Sequence, residues 1–200
     1  KISFPHKKII HGNLIEKLRY GENPHQMGAL YSQNKNINID KIHGKQLSYN
    51  NYNDIFSALT ISKSLPKNTG TVIVNHTNPC GVSIIQNKLD SYKSALECDP
   101  LSAFGGIVSC NFKITKKIAQ ELNKIFFEVI IANGFNKDAL KILKLKKNLR
   151  LIDASNFSLN EILKLKTINN SMLVQTDDKK DFNKIDFKIV SKKKPNKNQL

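Results

Sequence analysis

The chain has 200 residues, 32 Lys and Arg against 16 Asp and Glu for a formal charge of +16, and 40% hydrophobic content. That much apolar material builds one substantial core, or one core with a tail, and hardly two large independent domains. No apolar run approaches the roughly 20 residues of a membrane-spanning helix, and Lys1-Ile2-Ser3-Phe4-Pro5-His6 lacks the apolar segment of a signal peptide, so a soluble, cytoplasmic chain with no membrane partner is expected.

Residues 1–17 carry little pattern and read as a lead-in; with no initiating Met, the chain is expected to be a fragment or a processed piece. Leu18-Arg19-Tyr20-Gly21-Glu22-Asn23-Pro24-His25-Gln26 is dense in turn-forming and aromatic residues and reads as a functional loop. Arg19 offers a planar fork for a phosphate or carboxylate, and Tyr20 a face for a flat ring; the bland alternative is a surface turn with a salt bridge. Met27 to Tyr31 follows as a short strand. Lys45 to Asn51 leads into a helix, with an Asn available as N-cap and Ile55, Ala58, Leu59 and Ser62 along one face, closed by Leu65-Pro66.

Thr71 to Val74 is β-branched without polar alternation, as in a central strand of a parallel sheet buried on both faces. Asn78-Pro79 then predicts a turn, so that Asn75, His76 and Asn78 are presented at the carboxyl end of the strand, where open α/β sheets gather ligands. A lone histidine there can equally cap the strand end. Leu89 to Glu97 predicts a helix ended by Cys98-Asp99-Pro100, and Leu101 to Cys110 a small-residue loop entering a strand, in which Gly105-Gly106 permits close approach to backbone. Ile114, Ile118 and Leu122 mark another helix, and Glu128 interrupts the apolar run 126–132, where a carboxylate is either paired or functional. Ala139 to Lys147 predicts a lysine-faced helix, Leu149 to Ile152 a strand, and the region after Phe157 a helix-like piece, a strand at Met172 to Gln175 and a basic end. The alternation of strands and helices predicts a layered α/β sheet. Cys80, Cys98 and Cys110 are odd in number and widely spaced, which predicts reduced thiols. The charge is mostly lysine, concentrated at Lys141 to Lys147 and Lys192-Lys193-Lys194 among abundant Asn and Ile. Without an aromatic RNA-binding motif, a zinc finger or a helix-turn-helix pattern, this reads as solvated lysine and not as a nucleic-acid site.

Five stretches in order resemble one family: 18–26, Leu47-Ser48-Tyr49-Asn50-Asn51, His76-Thr77-Asn78-Pro79-Cys80-Gly81, 99–108 and Glu128-Val129-Ile130-Ile131-Ala132. The chain is similar to the transformylase domain of the PurH family of bifunctional purine biosynthesis proteins, from about Leu18 to its end. The resemblance implies the first subdomain of a cytidine-deaminase-like, layered α/β/α fold over residues 18–200, a homodimer, and a parent protein that is also an IMP cyclohydrolase. It implies transfer of formyl from 10-formyltetrahydrofolate to the 5-amino group of the ribonucleotide AICAR. His76 matches the family's proton acceptor, and Asn75 stands at the other catalytic position. Arg19, Tyr20, Gly105 and Glu128 match nucleotide-binding residues, and Asn78 and Leu101, in the same motifs, complete the expected substrate-binding set.

Two departures bear on activity. The family's lysine before the histidine, which stabilises the transition state, is Asn75 here; Asn brings no positive charge, and losing one oxyanion-directed donor can slow a reaction by on the order of a hundredfold. The match also ends about halfway through the transformylase, before later folate and nucleotide contacts. A catalytically silent relative that binds a purine nucleotide or a partner is therefore the alternative expectation. No metal is expected, because a zinc deaminase needs H-x-E and a later P-C-x-x-C, whereas Pro79-Cys80 is followed by Ser83 and no cysteine pair.

Overall fold

A computed structural model of the chain describes residues 4–159, 163–178 and 188–196. The chain divides into two units, Lys1–Leu159 and Asn160–Leu200. In the first, β1 (Asn13–Leu18) and β2 (Gly28–Ser32) pair antiparallel as a separate ribbon. There follow β3 (Asp40–His43), α1 (Tyr49–Ser64), β4 (Thr71–Asn75), β5 (Asn78–Ser83), α2 (Lys88–Cys98), α3 (Pro100–Ala103) and β6 (Ile107–Cys110). The unit is completed by α4 (Lys116–Leu122), β7 (Val129–Ala132), α5 (Lys137–Leu143) and β8 (Arg150–Asp153). Six of these strands form one sheet in the order β3-β8-β7-β6-β4-β5. The second unit contains an antiparallel pair, β9 (Leu163–Ile168) and β10 (Ser171–Thr176). The patternless lead-in thus holds most of β1, and Leu163–Ile168 is strand; the rest of the helix-like piece expected after Phe157, at 160–162, lies outside the described residues.

The layers follow from the pleat, which turns alternate residues to opposite faces. Val72 and Val74 of β4 join Ile107, Val129, Ile131 and Ile152 on the face covered by Ile55, Ala58 and Leu59 of α1. Ile73 faces the other way, with Val108, Ile130 and Leu151, against Tyr92 and Ala95 of α2 and the apolar sides of α4 and α5. The expected α/β/α layering is what the structure shows. Gly81 of β5 lets α2 settle closely, since a Cβ there would collide with the Ala95 carbonyl.

Two local expectations are corrected. β4 is not a parallel strand: it runs antiparallel to both β5 and β6, and the parallel pairs are β6 with β7 and β7 with β8. A strand buried on both faces is apolar throughout whichever way its neighbours run, so the pattern reports burial and is silent on direction. The turn also falls earlier than Asn78-Pro79. Asn75 pairs with Asn78, leaving His76 and Thr77 as a two-residue hairpin loop. Pro79 is accommodated because β5 is an edge strand and its register shifts between Ile73 and Val74 of β4.

At the head of α1 the N-cap is Ser48. Its hydroxyl accepts from the Asn51 amide and the Asn51 side chain accepts from the Ser48 amide, each at 3.1 Å. Asn51 therefore closes a capping box from the third helical position instead of serving as the cap itself.

Candidate active site

His76 and Thr77 both adopt left-handed backbone, with φ of 51° and 63°. Positive φ at both central residues defines the tight loop whose twist matches a hairpin, a place usually taken by Asn-Gly. For a β-branched threonine this conformation is an outlier, and it is held by a set of hydrogen bonds. The Thr77 hydroxyl and the Asn78 side-chain amide donate to the His76 carbonyl at 2.6 and 2.9 Å. The Thr77 amide donates to Asp54 Oδ1 at 2.7 Å, and Ser57 Oγ donates to the Thr77 carbonyl at 2.8 Å.

The turn opens on a shallow cleft of about 270 Å³ lined by Asn75, His76, Asn78, Pro79, Cys80, Asp99 and Ser102. Asn75 Nδ2 donates to the Ser102 carbonyl at 2.9 Å, and the Cys80 thiol reaches the same oxygen at 3.5 Å. Asp99 caps α3 by accepting from the Ser102 amide at 3.0 Å, and its hydrogen bonds from Ser102 hold the carboxyl below its usual range. Burial, then the Asp99 charge, pushes the Cys80 thiol up, so it stays protonated at neutral pH.

Because β4 runs against β6 and β7, the carboxyl end of β4 lies beside the amino ends of those two strands, where Val74 pairs with Ile107 and Ile107 with Val129. The glycine pair and Glu128 therefore share one end of the sheet with Asn75 and His76. Gly105 has φ of 78°, and its amide donates to the Phe126 carbonyl at 2.8 Å. At Gly106 a Cβ would come within 2.7 Å of the Val74 carbonyl, so only glycine lets the chain enter β6 there. Glu128 stands at the mouth of β7 and not inside it. Its Oε2 accepts from Asn51 Nδ2 at 2.8 Å and lies 3.6 Å from the Arg150 guanidinium, which also donates to the Gln46 carbonyl at 3.1 Å. The carboxylate is thus paired and remains partly exposed, and it is not among the residues that line the cleft.

Arg19 and Tyr20 follow β1 as a unit of their own, with the guanidinium 5.7 Å from the Tyr20 ring centre. Among the described residues Arg19 makes no hydrogen bond or ion pair. Its loop is joined to the head of α1, where Asn50 Nδ2 donates to the Glu22 carbonyl at 3.2 Å, and β1 is joined there too, Tyr52 donating to Glu16 at 2.7 Å. Leu101 projects from α3 with 89% of its surface exposed and is not part of the cleft wall. Asp54, Ser57, Ser102 and Arg150 were not singled out by sequence reasoning. The one signal for Asp54 and Ser57 is their spacing from Asn51 by three and six residues on a single helix.

Among the described residues no three His, Cys, Asp or Glu side chains stand together in a way that could hold a metal ion. What the fold and cleft define is an α/β domain with a strained histidine turn and a paired carboxylate at the same end of a mixed sheet. The chain belongs to the AICARFT/IMPCHase bienzyme family, whose sequence profile matches residues 2–200. It is 39% identical over 206 residues to the bifunctional purine biosynthesis protein PurH of Caldicellulosiruptor saccharolyticus and 40% identical over 205 residues to that of Acetivibrio thermocellus. The protein of the same name from Leptospira biflexa is 40% identical over 202 residues. These alignments take in 98–100% of the chain, which spans about 40% of the length of the curated relatives it matches.

Proposed function

We propose that the chain is part of an AICAR formyltransferase in purine biosynthesis, with His76 as proton acceptor. The observation that carries the reading is the left-handed turn, which sets His76 in the cleft at the same sheet end as Gly105 and Glu128. In the reaction the 5-amino nitrogen of AICAR attacks the formyl carbon of 10-formyltetrahydrofolate and a C–N bond forms. The carbonyl oxygen becomes an oxyanion; as it re-forms the carbonyl the bond to folate N10 breaks, and N10 takes up a proton in place of the one lost by the amine, releasing tetrahydrofolate. The aromatic amine is a weak nucleophile whose nitrogen gains positive charge as it attacks, and a histidine can take the proton as the C–N bond forms, since the residue type exchanges protons near neutral pH. Glu128 suits hydrogen-bond donors on the nucleotide, and Arg19 with Tyr20 suits a phosphate and a flat ring. The cleft of about 270 Å³ is smaller than the roughly 300–1,000 Å³ usual for a ligand site. The remainder of the site is assigned to the rest of the protein, which we take to be a cytosolic homodimer that also carries IMP cyclohydrolase activity.

One observation favours a second reading. Asn75 directs one side-chain N–H to the Ser102 carbonyl and brings no charge to an oxyanion, as in a relative that binds a purine nucleotide without turning it over. The deciding experiment is formyl transfer to AICAR by the full-length gene product. Wild-type protein is expected to turn over, and His76→Ala to lose at least about a hundredfold in kcat. Binding of AICAR without turnover by the wild type establishes the second reading instead.

A further inference from the structure

The histidine turn is gripped by α1. Both backbone groups of Thr77 are taken by that helix: its amide donates to Asp54 at 2.7 Å, and its carbonyl accepts from Ser57 at 2.8 Å. Three residues before Asp54, Asn51 of the same helix donates to Glu128 at 2.8 Å. Positions three apart are neighbours on a helix surface, so one flank of α1 holds the histidine turn at one point and the carboxylate at another. Thr77 is the residue for which the left-handed conformation is least natural, and a strained backbone persists only where its surroundings over-determine it.

We propose that Asp54 is a positioning residue for His76. It fixes the His76-Thr77 turn in its left-handed form through the Thr77 amide, so that α1 sets the placement of the imidazole relative to Glu128. Ser57 is the second point of the grip. The kinetic part of this inference rests on the transferase reading above, and the structural part does not.

The test uses the full-length protein with Asp54→Ala, Asp54→Asn and each combined with Thr77→Gly. Asp54→Ala is expected to speed hydrogen exchange at the Thr77 amide, to shift the His76 ring signals in NMR spectra, and to lower kcat for formyl transfer at least about tenfold with little change in KM for AICAR. Asp54→Asn keeps an oxygen acceptor and should restore all three. Glycine adopts the left-handed conformation without strain, so in the Thr77→Gly background the kcat loss from Asp54→Ala should shrink to about threefold or less. A loss of equal size in both backgrounds overturns the inference, as does Asp54→Ala protein with unchanged exchange and unchanged ring signals. If the wild type transfers no formyl, the transferase reading fails by itself. The inference is then decided by exchange and ring signals: a shift reversed by Asp54→Asn upholds it, and no shift overturns it.

Discussion

Asn75 sits beside the histidine with one amide N–H committed to the Ser102 carbonyl, so in this cleft it supplies no charge and has only its second N–H left to offer. A lysine at that position reaches farther and carries charge toward an oxyanion forming near His76. In a full-length protein that turns over, Asn75→Lys is expected to raise kcat by about tenfold or more while KM changes less, because an interaction made mainly in the transition state appears in kcat. An unchanged rate in steady-state assays would show that another group already fills that role. His76, Asn75 and Asn78 were legible as a group because an apolar run ended abruptly in polar residues before a proline. Asp54 was not, since its helical spacing from Asn51 puts it on the same flank of α1 but says nothing of the distant backbone amide from which it accepts. Leu101 is legible only through its motif: it stands on α3 with 89% of its surface exposed, outside the cleft wall.

Among the elements, α1 connects stability to the site, since its first turn is built by the Ser48–Asn51 capping box and Asn51 also holds Glu128. Ser48→Ala removes the acceptor for the Asn51 amide and should lower stability by about 1 kcal/mol, seen as a fall in the urea midpoint with an unchanged slope. A midpoint equal to wild type would mean that water or another group caps the helix equally well. The helix itself was readable because Ile55, Ala58, Leu59 and Ser62 repeat at helical spacing, and all four are buried. Its cap was harder to read, because Ser and Asn both suit that position and only geometry separates the cap from the residue that answers it. For β4 the existence and burial of the strand were readable and its direction was not. Direction depends on the two-residue loop at His76-Thr77, which lacks the glycine that usually announces such a turn.

For the molecule as a whole, both clusters of buried side chains draw only on residues 18–154, within the first unit. In the second unit no described residue is buried, and Ile168, Met172 and Leu173 of the β9–β10 pair are 45–59% exposed. A two-stranded hairpin on its own is marginal in water, so this unit contributes little to the cooperative core that must offset the entropy of ordering the chain. The sequence hinted at this division only as a weakening of pattern after Phe157, because a solvent-exposed hairpin need not alternate strictly. Cutting the chain after Leu159 is therefore expected to leave the thermal midpoint within about 4 °C of that of the 200-residue chain, a change of roughly 1 kcal/mol or less at this size. The van't Hoff and calorimetric enthalpies of the shortened chain should still agree, as they do for a two-state core. A fall of about 10 °C or more in scanning calorimetry would mean that the second unit helps to hold the sheet. The boundary at Leu159 would then separate compact regions without separating stabilities.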